Sequence, residues 1–251
     1  MSGVVQVLPV KGIPYVTGED DVAELIVAAT QAQGPRLEDG DILVVSQKIV
    51  SKAEGALIRL DEVEPSQDAS GLAGELDKDP RLVEVILGQS RRVVRATRGV
   101  LITETKHGHV CANSGVDASN MAEEDTVSLL PEDPDESAAR IRRGIKKRRG
   151  IDVAVIVADT FGRPWRLGHV NFAIGVSGMM PFRDYRGQRD PYGYELRVTM
   201  MAVADELASA AELVMGKTGG IPVAIVRGYD FPRGEGRAAE MVRPPEMDLF
   251  R

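Results

Sequence analysis

Two patterns alternate along the chain: runs apolar at every position, and stretches where apolar residues return every third or fourth place. Residues 4–10 (VVQVLPV) read as a short strand, stopped by Lys11-Gly12-Ile13-Pro14. TGEDD at 17–21 then opens a helix in which Val22, Leu25, Ile26 and Ala29 repeat at helical spacing. EDGD at 38–41 turns the chain into a second strand, 42–45, which runs into Ser46 and Gln47. Residues 61–80 are polar and predict an amphipathic stretch at most, whereas 81–88 predict a short helix with Leu82, Val85 and Ile86 on one face. Strand-like runs at 92–96 and 100–105 lead through KHGHV into Val110-Cys-Ala, and 113–124 is a polar, glycine-containing loop. Pro134 opens a helix with Asp135 and Glu136 in its first turn, closing on Lys146-Lys-Arg-Arg149 before Gly150, the charge order a helix dipole favours. The most apolar run, 153–157 (VAVIV), predicts a strand buried on both faces that ends at Asp159 and Thr160, with GRPWR as the turn beyond. A helical pattern from about 196 to 215 precedes GKTGG, and 221–226 predicts a last buried strand. One domain over 1–232 is expected, with 233–251, rich in Pro, Arg and Glu, as a poorly ordered tail.

This succession predicts an α/β (α+β) fold with a mixed sheet and flanking helices, because 92–112 reads as a meander rather than as βαβ units. Composition narrows the function classes. With 251 residues, 43% apolar and 27% charged, the chain can bury a sizeable core, mostly aliphatic since aromatics are 4%. A formal charge of -7 argues against nucleic acid or a membrane surface as partner. Seven of the ten residues from Arg140 to Arg149 are basic, but they close a helix with an acidic start and read as a solvated end. The single cysteine, Cys111, excludes an internal disulfide. The opening MSGVVQVLPVKG does not read as a signal peptide, and no apolar run approaches the ~20 residues of a membrane span, so a cytoplasmic protein is expected.

The candidate chemistry is oxygen ligands and cations. MGKTGG at 215–220 holds Gly-Lys-Thr, yet the glycine that a phosphate loop needs is Ala211 here, and the segment joins helix to strand instead of strand to helix. It reads either as a helix C-cap or as a glycine-rich turn whose amides could cradle phosphate. His107-x-His109 reads as a solvated turn in preference to a metal site, and no nucleophile elbow is present. Asp159 and Thr160 offer a carboxylate and a hydroxyl, the donors a hard cation takes, while Asp117 and Asn120 add a carboxylate and an amide. Gln47, Lys48 and Lys52 stand where the second strand ends, the place ligands gather in α/β sheets. Mg²⁺ or Mn²⁺ on such carboxylates, completed by phosphate oxygens and water, suits phosphoryl transfer.

Taken together, LPVKGIP, QKIVSKAEG, LITET, GVDASN, LLPEDPDESA, ADTFGRPWRLG, RDPYGYEL, VADELASAAELVMGK and PVAIVRG occur in order from about Leu8 to Gly228. In these motifs the chain resembles the F420 gamma-glutamyl ligase family, in the stand-alone form without the nitroreductase-like domain that many actinobacterial members carry. The resemblance implies an unusual, family-specific α/β fold in an intertwined homodimer. It also implies a GTP-dependent ligase that joins L-glutamate to the lactyl carboxylate of the deazaflavin precursor F420-0, adds further γ-linked glutamates, and releases GDP and phosphate. Mn²⁺ or Mg²⁺, two ions, and K⁺ are the implied cofactors. Carried onto this sequence, the metal ligands are Asp117 and Asp159, with Thr160 serving a second metal. GTP contacts fall on Ile13, Pro14, Tyr15, Val16, Gln47, Lys52, Asn120 and the segment Gly216, Lys217, Thr218, Gly219, Gly220. Relatives can present a carboxamide or carboxylate to the second metal in this segment, and Lys217 stands near that place. Two readings stand there: another residue completes the second site, or Lys217 binds phosphate directly. Arg163, Trp165 and Arg166 are expected to face anionic substrate groups, with Trp165 as a stacking surface, although the arginines could equally hold the turn through carbonyl contacts. The competing reading of the same donors is a metal-dependent nucleotide kinase or phosphohydrolase.

Overall fold

Every second side chain of a strand points to the same side of its sheet, and here both sides are apolar. Leu43, Val45, Val155 and Val157 enter one core, whereas Ile42, Val44, Ala154, Ile156 and Ala158 enter another. Burial on both faces is why these runs are continuously apolar. The structure is a computed structural model and describes residues 3–119, 121 and 124–249. Its first half comprises β1 Gln6–Pro9, α1 Val22–Ala32, β2 Ile42–Ser46, α2 Gln47–Ala53, β3 Leu57–Arg59, α3 Gln67–Leu76, α4 Pro80–Gly88, β4 Ser90–Thr97, β5 Val100–Thr105 and β6 Val110–Ala112. The second half comprises β7 Thr126–Ser128, α5 Pro134–Arg149, β8 Ala154–Arg163, β9 Arg166–Ser177, β10 Arg183–Asp184, β11 Met200–Met201, α6 Val203–Met215 and β12 Val223–Arg227.

The main sheet has the order β1-β12-β2-β8-β9, antiparallel except for the parallel pair β2 and β8. It is a mixed sheet with helices on both faces. Residues of α1, α2 and α5 cover one face, and α6 with Phe231 and Ala238 covers the other. A third, smaller core joins α3 and α4 to β5 and β7 through Ala73, Leu76, Val83, Ile86, Leu101 and Val127. Among the described residues no helix is long and apolar enough to cross a membrane.

Four sequence expectations are corrected. The stretch 61–80 contains a full helix, α3, whose Ser66 side chain accepts the Ala69 N–H as its cap. Its polarity is that of a helix buried on one narrow face, with Ala69, Ala73 and Leu76 inward. The long helical pattern begins only at Val203, because Met200–Met201 is taken by the ladder with β10. The strand β8 does not end at Asp159: it continues to Arg163 and folds back as β9, a strand absent from the sequence reading. Burial stops after Ala158, and with it the apolar run, while the backbone ladder continues into a half-exposed ribbon. The segment from Arg233 on, expected as a tail, carries Ala238 at 0% exposure and Arg237 within 3.2 Å of Asp135.

Candidate active site

The register of β8 against β9 shifts between Val157 and Ala158, so that Val157 faces Gly175 while Ala158 faces Ala173. Ile174 is the extra residue of this bulge, a feature that bends a strand and re-aims the side chains beside it. Asp159 and Thr160 follow at once. The N–H that the bulge removes from regular pairing, that of Ala173, is accepted by Asp205 Oδ1 of α6 at 2.9 Å. Burial pushes the Asp159 carboxyl up to about 6, with the Asp117 charge adding to the rise and the Thr160 N–H opposing it. Asp117, Lys48 and Lys217 all act on Asp159 through their charges, the first raising its pKa and the two lysines lowering it.

Asp117 is carried by the loop after β6 and held by a two-bond bridge to Ser128, the last residue of β7. Burial works against its charge, but Lys48 and the Ser119 N–H outweigh it and hold the carboxyl below the ordinary range. Lys48 Nζ lies 2.6 Å from Asp117 Oδ2 and donates also to Ser119 O at 2.6 Å and Ser119 Oγ at 2.7 Å. β2 delivers Lys48 because Ser46 caps α2 directly at the strand's end, accepting the Lys48 N–H at 3.4 Å. One turn on, Lys52 is buried with Nζ 4.0 Å from the centre of the Tyr15 ring, a cation–π contact. This contact brings the segment 13–16, with Val16 buried and Tyr15 exposed, to the same helix. Gln47 turns the other way: its amide nitrogen donates to Ser51 Oγ at 2.6 Å and Leu129 O at 2.8 Å.

The glycine segment is placed by the end of α6. Gly216 takes φ 57° and its N–H bonds Glu212 O, while Gly220 takes φ 63°. From there Lys217 Nζ donates to Thr160 Oγ1 at 2.6 Å and, more weakly, to Asn171 Oδ1 at 3.4 Å, with Glu212 Oε1 3.8 Å away. Thr160 Oγ1 in turn donates to Asn171 Oδ1 at 2.7 Å. Asn171 escaped sequence reading because it faces Thr160 only across the unrecognised hairpin. Its signal was a lone buried amide in an apolar strand, at 4% exposure.

Other candidates fall outside this cluster. Four residues separate Asp159 from Arg163, roughly 13 Å of strand, which carries Arg163, Trp165 and Arg166 to the hairpin tip. There Arg163 donates to Leu167 O at 2.7 Å, and Trp165 adopts φ 59° with 79% exposure. Asn120 lies outside the described residues. His107 and His109 stack at 6.2 Å and continue through Phe161 to Phe172 as a ring ladder. Burial pushes His109 down to about 4, the His107 charge adding to it. Burial likewise pushes the Cys111 thiol up to about 12, helped by Asp159, which leaves it a poor nucleophile. Among the described residues no group of three or more His, Cys, Asp and Glu could hold a metal. Two carboxylates in mutual repulsion do suit a divalent cation between them. The Thr160 position does not, since its hydroxyl already serves Asn171 and Lys217.

Fold and site define a mixed α/β protein in which carboxylates, a hydroxyl and ammonium groups gather where β8 leaves the core, and Cys111 among the described residues is a poor nucleophile. The chain belongs to the F420-0:gamma-glutamyl ligase family, whose sequence profile matches residues 12–228. It is 46% identical to a coenzyme F420:L-glutamate ligase of Methanothermobacter thermautotrophicus, over 98% of this chain and 99% of that relative. Proteins of the same name from Methanocaldococcus jannaschii and Methanopyrus kandleri are 48% and 51% identical, covering 88% and 92% of both chains respectively.

Proposed function

We propose that the chain is a GTP-dependent ligase that forms an amide between L-glutamate and the lactyl carboxylate of F420-0, then adds further γ-linked glutamates. The observation that carries this reading is similarity over nearly the whole chain to coenzyme F420:L-glutamate ligases. The pairing of Lys48 with Asp117 and of Lys217 with Thr160, both acting by charge on Asp159, supports it. A carboxylate does not condense with an amine in water, because its oxygen is too poor a leaving group. In the proposed path a lactyl carboxylate oxygen attacks the γ-phosphorus of GTP, the bond to the β-phosphate oxygen breaks, and GDP leaves. The glutamate amine then attacks the acyl carbon of the resulting acyl phosphate, loses a proton, and expels phosphate.

Such a reaction asks the protein for position and charge rather than for a nucleophile. Lys52 and the exposed Tyr15 ring, with the backbone of 13–16 and the glycine segment 216–220, would bind the nucleotide. Lys48 would hold phosphate oxygens beside Asp117. A Mg²⁺ or Mn²⁺ ion between Asp117 and Asp159 would neutralise charge on the transferred phosphoryl group. K⁺, a cytoplasmic location and a homodimer, with Trp165 and Arg166 of the hairpin tip turned toward anionic substrate, complete the proposal.

Mass spectrometry of products tests it. The protein is incubated with F420-0, L-glutamate, GTP, Mn²⁺ and K⁺, and each component is omitted in turn. The expected product is heavier by one or more glutamyl units and absent without GTP. Phosphate release that needs neither glutamate nor F420-0 would establish the phosphohydrolase reading instead.

A further inference from the structure

Two ammonium groups lie on the two places where the family resemblance puts divalent cations, and their surroundings differ. Lys48 pairs with Asp117 at 2.6 Å and acts by charge on Asp159 as well, so one ammonium faces two carboxylates whose charge it does not fully balance. Lys217 meets neutral oxygens, the Thr160 hydroxyl at 2.6 Å and the Asn171 amide oxygen at 3.4 Å. The carboxylate beside it, Glu212, stands 3.8 Å from Nζ and balances the lysine's own charge. The oxygens are also committed to each other, since Thr160 spends its proton on Asn171. A hydroxyl has one proton and two lone pairs, so with its proton on Asn171 and one lone pair on Lys217, Thr160 keeps a single lone pair, and the ammonium 2.6 Å away repels a cation that would take it. An ammonium carries no lone pair and cannot ligate a metal. Of the carboxylates beside Thr160, Asp159 belongs to the first site and Glu212 pairs with Lys217, so none is left over to bind a second Mg²⁺ or Mn²⁺.

We infer that in this chain the Lys217 ammonium takes the place of a second divalent cation. Each active site then binds one Mn²⁺ or Mg²⁺, between Asp117 and Asp159, and carries its second positive centre on its own side chain. The lysine is a compact point charge on a flexible stem. It can therefore stay on Thr160 in the empty site and turn to a phosphate oxygen when nucleotide arrives. The consequence is a single-metal variant of a site whose hydroxyl and amide could otherwise ligate a second ion.

The inference rests on the metal-dependent reading above, and metal counting separates the two. Bound Mn²⁺ is measured from the loss of the free-ion electron paramagnetic resonance signal, with the full chain in saturating GDP. The proteins are the wild type and Lys217→Gln, which restores a carboxamide at a side chain 58% exposed and so leaves folding intact. One Mn²⁺ per chain is expected for the wild type. Two are expected for Lys217→Gln, together with the spin-coupled spectrum of neighbouring ions. Two ions in the wild type, or one in both proteins, would overturn the inference and leave the metal-dependent ligase standing. No bound ion in either protein would overturn both.

Discussion

Asp159 stands where β8 leaves the core, the last acceptor delivered by a strand that cannot move. Its environment raises its pKa while that of Asp117, with Lys48 against it, is lowered. Two interacting carboxylates kept in different electrostatic states are the pattern that marks functional sites. On the proposed function, Asp117→Ala and Asp159→Ala are each expected to lower glutamyl transfer by ~10²-fold or more, with circular dichroism and melting temperature little changed. Retained activity in both, in the omission assay at ordinary Mg²⁺, would remove them from the site. Lys52 belongs to the nucleotide half of the same argument. Its stacking on Tyr15 fixes the ammonium where it can meet phosphate. Lys52→Ala is expected to weaken GDP binding by about 1–2 kcal/mol, the worth of one charge-assisted hydrogen bond. Calorimetric titration checks this, and an unchanged affinity would place Lys52 in a purely structural role.

At the scale of elements, the hairpin β8–β9 aims the site and two contacts hold it. The first is a close approach: a Cβ on Gly175 would lie 2.1 Å from Pro134 O and 2.9 Å from Asp135 N, so β9 packs backbone to backbone on the start of α5. Gly175→Ala must push the two apart and is expected to cost roughly 3 kcal/mol, the upper range for overpacking, read as a lower denaturant midpoint. The second contact is Asp205, half-buried on α6 and pushed up to about 6 by desolvation, with the Ala173 N–H opposing the rise. The folded chain keeps that proton to about pH 6, the unfolded chain only to its ordinary value of 3.8. Stability therefore falls as pH rises between those values, and the penalty of up to about 3 kcal/mol is fully present above pH 6. Asp205→Asn retains an acceptor for Ala173 and removes the charge. It should melt higher than the wild type at pH 7, by a much smaller margin near pH 4 and equally at pH values well below 3.8, and a margin unchanged with pH would refute the assignment. Little of this was legible in the sequence. VAVIV marked β8 and the carboxylate at its end, because full burial writes itself as an unbroken apolar run. The ribbon beyond Ala158 is half-exposed, and Asn171 and Gly175 interrupt the buried half of β9, so no unbroken apolar run marks it and β9, Asn171 and the bulge stayed hidden. Lys48, by contrast, stood at a recognisable strand end, but only the tertiary approach of the loop after β6 pairs it with Asp117.

For the whole molecule, the question is what covers the apolar side chains that point away from both cores. Trp165 and Leu167 at the hairpin tip are 79% and 97% exposed, and Tyr192, Tyr194 and Val198 on the segment between β10 and β11 are 97%, 67% and 87% exposed. Single exposed apolar residues need no explanation, but two projecting ribbons that each carry several do, because monomers rarely leave contiguous apolar surface in water. A turn that holds Trp165 at positive φ also stores backbone strain, a cost that persists where something else selects the conformation. A second copy of the chain is the occupant the proposed homodimer supplies. The expected mass by light scattering is therefore twice the 27.1 kDa of one chain. Leu167→Asp adds a charge at a fully solvated tip and touches neither core, so it should leave the fold and its melting transition intact while shifting the mass toward one chain. If glutamyl transfer falls with that shift, the hairpin of one copy completes the site of the other. If the mass falls and activity holds, each chain works alone and the ribbon serves assembly only. A wild-type mass of one chain would reject the dimer and leave these side chains to contact substrate directly.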